Sequence, residues 1–297
     1  MDDFVIPKDQ YRHLGASGIK VSPLGTGTNK WWQGKNDEAV FQAFHSLVDA
    51  GVNLFDTAEV YSLGKSESLL GDCLKRDPRP VVVCSKFMPY PTRILESQFT
   101  SALDASLRRL GRQAIDLYYI HFPSPLLSIE TMMDRMAKAV EAGKIRAVGV
   151  SNFSADQMRA AADRLEKHGI PLAANEVRYS LFHRQPEADG VLDACRERDV
   201  ALVAYRPLDG GRLSASPASR TSKEEAIQES LRTIAQRHGK SVSQVTLNWM
   251  LRRDGHVIPI PGSTHADHAL DNVGALTWRL SDGEFAAIDE ASSPTNP

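Results

Sequence analysis

An excess of either charge is missing from this chain. Across 297 residues, 35 Lys and Arg stand against 37 Asp and Glu, a formal net charge of -2. A nucleic-acid or anionic-membrane function would need a local basic patch, because no broad one is available. Neither partner is expected. Long apolar runs are missing too: no stretch approaches the ~20 residues that cross a bilayer. The opening segment MDDFVIPKDQ lacks the basic and apolar regions of a secretory signal. Cysteine is scarce: Cys73, Cys84 and Cys195 are widely spaced, with no Cys-x-x-Cys pair. That odd, scattered set points to reduced thiols and a cytoplasmic chain rather than a disulfide framework. With 42% hydrophobic and 24% charged residues, wholesale disorder is excluded.

What is present is a regular alternation. Short apolar runs ending in polar residues fall at 21–24, 52–55, 81–85, 115–120, 146–150, 172–175, 201–204 and 257–260. Between them lie segments with helical spacing, among them 39–50, 67–74, 94–110, 129–142, 156–168, 187–196 and 225–237. Gly51, Gly111, Gly143, Gly169 and Gly239 sit where helix C-caps are expected. Strand alternating with helix predicts a parallel sheet, and eight such units fit a closed (β/α)8 barrel. Residues 11–21, with Gly15 and Gly18, predict a small β-hairpin closing the barrel bottom. No linker separates two halves, so one domain spanning 1–297 is expected, with a short C-terminal tail and a long, loose loop over 209–223.

Three apparent motifs fail on spacing. Gly64-Lys65-Ser66 imitates the end of a P-loop, but Glu59 stands where its first glycine belongs. Gly25-Thr-Gly27 begins like a dinucleotide fingerprint, but Lys30 replaces the third glycine. His265 and His268 lack a surrounding set of metal ligands, so no metal is expected.

Barrel active sites gather at the C-terminal ends of the strands. There the runs deliver Asp56, Glu59 and Tyr61 after the second, Lys86 on the third and His121 after the fourth. Ser151 and Asn152 follow the fifth, Asn175 and Glu176 the sixth, Tyr205 and Arg206 the seventh. A buried lysine needs a carboxylate to stay charged, and an ammonium lowers a neighbouring phenol's pKa. Asp56, Lys86 and Tyr61 thus predict a chain that tunes one acid–base group, with His121 beside it to hydrogen-bond a substrate oxygen. A tuned tyrosine suits carbonyl reduction and its reverse.

The segments carrying these residues resemble the aldo-keto reductase family nearly end to end. The resemblance runs through the opening hairpin (11–28), Asn53-Leu-Phe-Asp-Thr-Ala-Glu-Val-Tyr61, Gly64-Lys-Ser-Glu67, Ser85-Lys86, Asp116-Leu-Tyr-Tyr-Ile-His121 and Lys144-Ile-Arg-Ala-Val-Gly-Val-Ser-Asn-Phe153. It implies a (β/α)8 oxidoreductase using a nicotinamide cofactor on a carbonyl or alcohol substrate. Asp56, Tyr61, Lys86 and His121 would be its catalytic tetrad. By the same resemblance Ser151, Asn152 and residue 176 hold the nicotinamide carboxamide, and Tyr205 stacks on its ring. Gly27, Thr28 and Asp56 line the nicotinamide side. Arg206, Leu208 and Arg212 follow the seventh strand, and Gly262, Ser263, His268, Asp271 and Asn272 belong to the adenosine segment.

Three departures qualify it. Glu176 stands where the family often has glutamine. An ionised glutamate cannot donate a hydrogen bond and would favour the cationic, oxidised cofactor. Gly262 and His268 replace the Lys and Arg that grip a 2′-phosphate in many members. NADP(H) is favoured because the family favours it, with NAD(H) open and Arg206, Arg212 or Arg220 as replacement cations. Asn29 replaces a frequent tryptophan, leaving Trp31 and Trp32 to line the substrate mouth or anchor its loop. The short tail implies an open pocket, and the oligomeric state is not legible. Two other readings stay open: a cofactor-binding regulatory subunit with little turnover, and a non-redox lyase or isomerase.

Overall fold

The computed structural model describes residues 4–31, 37–214 and 221–294. A two-stranded antiparallel hairpin, β1 (Arg12–His13) and β2 (Lys20–Val21), comes first. Eight parallel strands follow: β3 (Thr26–Gly27), β4 (Leu54–Asp56), β5 (Val82–Phe87), β6 (Ile115–Ile120), β7 (Ile145–Ser151), β8 (Leu172–Arg178), β9 (Ala201–Tyr205) and β10 (Val257–Ile260). They pair in chain order from β3 to β10. The edges meet where Gly25 N donates to Pro259 O at 3.0 Å and Thr26 Oγ1 to Pro261 O at 3.1 Å. The chain folds as a (β/α)8 barrel with an N-terminal hairpin.

The main crossover helices are α1 (Asp37–Asp49), α2 (Lys65–Arg76), α3 (Glu96–Leu110), α4 (Ile129–Glu141), α5 (Ala155–Glu166), the short pair α6 (Gln185–Ala188) and α7 (Val191–Glu197), and α9 (Val242–Arg253). Helix α8 (Ser222–His238) precedes α9, while α10 (Ala266–Val273) and α11 (Asp282–Ser292) follow the last strand. Sequence fixes several starts directly. Ser154-x-x-Gln157, Ser241-x-x-Gln244 and Ser281-x-x-Glu284 close reciprocal capping boxes on α5, α9 and α11. The five glycines expected to end helices all take left-handed φ.

Two cores result. One lies between strands and helices. The other fills the barrel: Leu54, Cys84, Leu117, Tyr119, Ala147, Ala174, Ala201, Val203, Ile258 and Ile260 point inward. Leu14 and Val21 of the hairpin join this inner core, so the hairpin plugs the barrel bottom as expected. Gly149 makes room inside, because a Cβ there would fall 2.4 Å from the Tyr119 ring.

Two sequence expectations move. The first barrel strand is β3, not residues 21–24, which form the end of the hairpin and the bend after it. A two-residue strand is too short to announce itself by alternation. The expected loose loop over 209–223 is structured at both ends, and its residues 215–220 lie outside the described residues. Asp209–Gly211 forms a 3-10 turn in which Asp209 is buried, accepting hydrogen bonds from Arg178 at 2.6 Å and Arg212 at 2.9 Å. Helix α8 already starts at Ser222, capped by Thr221.

Candidate active site

Side chains alternate along a strand, so residues two apart share a face. Above inward-facing Leu54 stands Asp56, above Cys84 Lys86, and above Ala174 Glu176. Each of these three interior columns therefore ends, at the top of the barrel, in an ionisable group. Lys86 is fully buried, and its ammonium donates to Asp56 Oδ1 in a very short contact and to Thr57 O at 2.9 Å. Glu176 Oε2 lies 3.1 Å from the same Nζ. Two buried carboxyls thus flank one buried ammonium.

Their energetics follow from that count. The surrounding carboxyls outweigh burial at Lys86 and hold its pKa well above the usual amine range. Burial raises Asp56, with Lys86 pulling against it. Burial, reinforced by the Asp56 charge, pushes Glu176 up to about 8. Asp56 has the close ammonium contact, so it carries the negative charge, and Glu176 is protonated at neutral pH. This corrects the expectation of an ionised Glu176: the protonated acid can donate a hydrogen bond.

Tyr61 sits at the mouth, with the Lys86 ammonium 5.3 Å from its ring centroid. Burial and the two carboxyls outweigh Lys86 here, raising the phenol pKa well above its ordinary value. The expected lowering is therefore overturned: Tyr61 is held as a neutral acid. The turn behind it is unusual: Ser62, Leu63 and Gly64 all have positive φ, and Leu63 is almost wholly exposed. Gly64 suits this turn because its φ of 86 is a conformation that residues with a Cβ rarely adopt. Ser66, the last residue of the P-loop lookalike, instead ties Thr28 and Thr57 together through its hydroxyl.

His121 packs edge-on against Tyr61, centroids 5.9 Å apart, and stacks on Phe122. Burial and the nearby Lys86 charge depress its pKa to about 3, so it is a neutral imidazole. Its Nδ1 is buried without a hydrogen-bond partner among the described residues.

Asn152 joins four strand ends. Its Nδ2 donates to His121 O and to Ser151 Oγ, each at 3.0 Å. Its Oδ1 accepts from Tyr205 OH at 3.0 Å, and its backbone N–H donates to Glu176 O. It does this with φ 61, a conformation asparagine tolerates. Ser151 Oγ donates to Glu176 O.

The remaining predicted residues divide. Gly27 pairs with Asp56 across β3 and β4, and buried Thr28 donates through Oγ1 to Asp56 O. Arg206 and His268 are exposed, as is Gly262. Leu208 packs against the outer core, and Asn272 is buried. Ser263 Oγ is engaged with the His265 backbone. Asp271 is held by α9: Ser241 Oγ and Gln244 Nε2 donate to its two oxygens. Arg212 pairs with Asp209 and Glu224. Trp31 does not line the mouth. It is fully buried against Phe55, and its indole N–H donates to Ser263 O at 2.8 Å, which makes it the loop anchor. Trp32 and Arg220 lie outside the described residues. No group of three or more His, Cys, Asp or Glu among the described residues is placed to hold a metal. No helix of the described residues is long and apolar enough to cross a membrane.

Two features escaped the sequence reading: the Thr57 carbonyl on Lys86, and the Lys86–Glu176 contact. The second was legible in principle, since Glu176 lies two residues beyond inward-facing Ala174.

Against known proteins, the Aldo/keto reductase family model matches residues 23–293. A chloroplastic pyridoxal reductase of Arabidopsis thaliana is 32% identical, over 92% of this chain and 84% of that protein. A 6-dehydroglucose reductase of Novosphingobium aromaticivorans is 32% identical over 97% of each. Among solved structures, an aldo/keto reductase from Klebsiella pneumoniae in complex with NADP and acetate superposes with a TM-score of 0.82 at 28% identity, covering 96% of both chains. Fold, order of motifs and relatives agree: this chain belongs to the aldo/keto reductase family of oxidoreductases.

Proposed function

We propose that the protein interconverts an aldehyde or ketone and the corresponding alcohol, with a nicotinamide dinucleotide as hydride carrier and Tyr61 as the general acid and base. The observation that carries this reading is a neutral Tyr61 beside Lys86, with neutral His121 edge-on to it, at the mouth of the barrel. A carbonyl accepting a hydride becomes an alkoxide, and a nearby phenol can protonate it as charge develops. Lys86 stabilises the resulting phenolate, and Asp56 keeps Lys86 charged and oriented. His121 positions the substrate oxygen by hydrogen bonding without bringing a charge of its own. The reverse reaction uses Tyr61 as base.

The cofactor-side residues fit a carboxamide. Such a group offers two N–H donors and one carbonyl acceptor. Asn152 Oδ1 and Ser151 Oγ retain acceptor capacity beyond the hydrogen bonds they make, which suits the carboxamide N–H groups. Tyr205 would support the ring, with Gly27, Thr28 and Asp56 beside it. The bound dinucleotide supplies or accepts hydride at its nicotinamide carbon. Arg206, Leu208, Arg212, Gly262, Ser263, His268, Asp271 and Asn272 are assigned to the remainder of the dinucleotide. NADP(H) is favoured over NAD(H), supported by the neighbours solved with NADP and NADPH. Relatives named for reducing pyridoxal and 6-dehydroglucose support a small-molecule carbonyl substrate.

The test is a panel of carbonyls and alcohols run with both cofactors, followed through the absorbance of the reduced nicotinamide. Tyr61→Phe should keep cofactor affinity and lose about 10²–10⁴-fold in turnover. Normal turnover in that variant would refute the mechanism.

A further inference from the structure

A lysine between two carboxyls is one more acid than the acid–base chain of Tyr61 needs. Asp56 accepts the short contact from Lys86, whereas Glu176 Oε2, 3.1 Å from the same nitrogen, has no hydrogen-bond geometry to it. Asp56 Oδ2 is likewise buried without a donor among the described residues. The two carboxyls lie within hydrogen-bonding reach of each other. Asp56 Oδ2 left without a donor carries a desolvation cost, and two ionised carboxyls beside one ammonium leave one buried negative charge unbalanced. One proton placed between them satisfies both and leaves the trio neutral, with one ammonium, one carboxylate and one acid.

We propose that Asp56 and Glu176 share a single proton, and that binding of an oxidised nicotinamide expels it while binding of the reduced form does not. The second half rests on the nicotinamide-dependent reading above. The oxidised ring carries a positive charge and the reduced ring none. Placed beside Glu176, the cation does what the proton did: it balances the second carboxylate. Binding then proceeds as protonated protein plus oxidised cofactor giving the complex plus one proton released to buffer. No electron moves in this step.

The surroundings isolate the pair as the group that titrates. Facing it are Tyr61 after β4, Cys84 and Lys86 on β5, Tyr119 on β6, His121 beyond it, and Tyr205 on β9. Ser151 and Asn152, from the β7 end, do not ionise. Burial raises the thiol and all three phenols above their ordinary values, so they are neutral through pH 8. His121 is neutral from about pH 3 upward, and Lys86 stays charged. Arg178 on β8 and Arg206 after β9 are the further charged groups near Tyr205. Between pH 6 and 8 this leaves Glu176, with its partner Asp56, to change.

The test compares dissociation constants of oxidised and reduced NADP, by fluorescence quenching, from about pH 6 to pH 8.5. Both forms carry the same phosphates, whose own titration cancels in the ratio. Preference for the oxidised form should rise with pH by up to about tenfold per unit, then level off above about pH 8. Calorimetry in buffers of differing ionisation heat should show proton release with the oxidised form only. In Glu176→Gln the ratio should be flat. A flat ratio in the wild type, or an unchanged slope in Glu176→Gln, overturns the coupling. If neither form of NADP binds, the pair is repeated with NAD, and failure of both dinucleotides overturns the nicotinamide reading and the coupling together. The shared proton is checked separately in the ligand-free protein: infrared spectra at pH 7 should contain a protonated-carboxyl band that Glu176→Gln removes. Its absence from the wild type overturns the sharing.

Discussion

Glu176→Gln should stabilise the protein, and increasingly so as pH rises. In the unfolded chain a glutamate titrates near 4.3. In the folded barrel, burial and the neighbouring Asp56 charge push it up to about 8. A raised acid has its stability in place below the unfolded pKa and loses it as pH climbs towards the folded one. The unfolded state releases its proton early, while the native state must retain it. The slope is about 1.4 kcal/mol per pH unit, so the cost reaches the order of 4 kcal/mol at pH 7 and stops growing above about pH 8. Glutamine keeps the shape and the hydrogen-bonding ends, has no proton to retain, and leaves the Asp56–Lys86 pair intact. Urea unfolding of both proteins at pH 5, 7 and 8 measures the effect. The difference between the two unfolding free energies should widen with pH at the stated slope. Parallel curves, or a variant less stable at pH 8 than at pH 5 relative to the wild type, would refute the reasoning.

Other substitutions probe the same region. Lys86→Met leaves Asp56 buried without its cation and should cost about 3–5 kcal/mol near neutral pH, less in acid, together with turnover; denaturation across pH with a rate assay reads both. Gly149→Ala pushes a methyl into the Tyr119 ring and should cost about 1–3 kcal/mol, visible as a lowered melting temperature. Trp31→Phe removes the indole donor to Ser263 O and should loosen the loop after β10, weakening dinucleotide binding with little change in turnover at saturating cofactor.

Most of the barrel was legible because its signals are local and repeated. Strands of five to seven residues stand out as apolar runs, and helices begin at Ser-x-x-Gln or Ser-x-x-Glu boxes and end at glycine. Strand β3 was misplaced because two residues carry no period. The pairing that closes the barrel depends on Gly25 meeting Pro259 across more than two hundred residues, a contact that no local pattern announces. Trp31 illustrates the same limit. A tryptophan in a rim loop reads equally as a substrate wall or an anchor, and a distant carbonyl, Ser263 O, decides between them.

The grouping of the candidate site was legible in the sequence, and its electrostatic balance was not. Asp56, Lys86, Tyr61 and His121 could be named from the ends of successive runs, and each lies at the top of the barrel. What individual residues do not reveal is how opposing influences add. Lys86 does favour a phenolate at Tyr61, as expected, but Asp56, Glu176 and burial act the other way and win. A pairwise reading of Lys86 and Tyr61 gives the wrong sign because burial of the phenol, the largest influence, opposes the lysine, and the two carboxyls add to it. The same accounting assigns Glu176 its proton. Replacing a glutamine-type neutral group by glutamate at this depth need not add a charge; it adds a proton that the site can retain or release. Under the proposed coupling, residue 176 is a point where cofactor charge and solution pH would be exchanged for one another, a property that neither an isolated glutamate nor an isolated Asp–Lys pair would have.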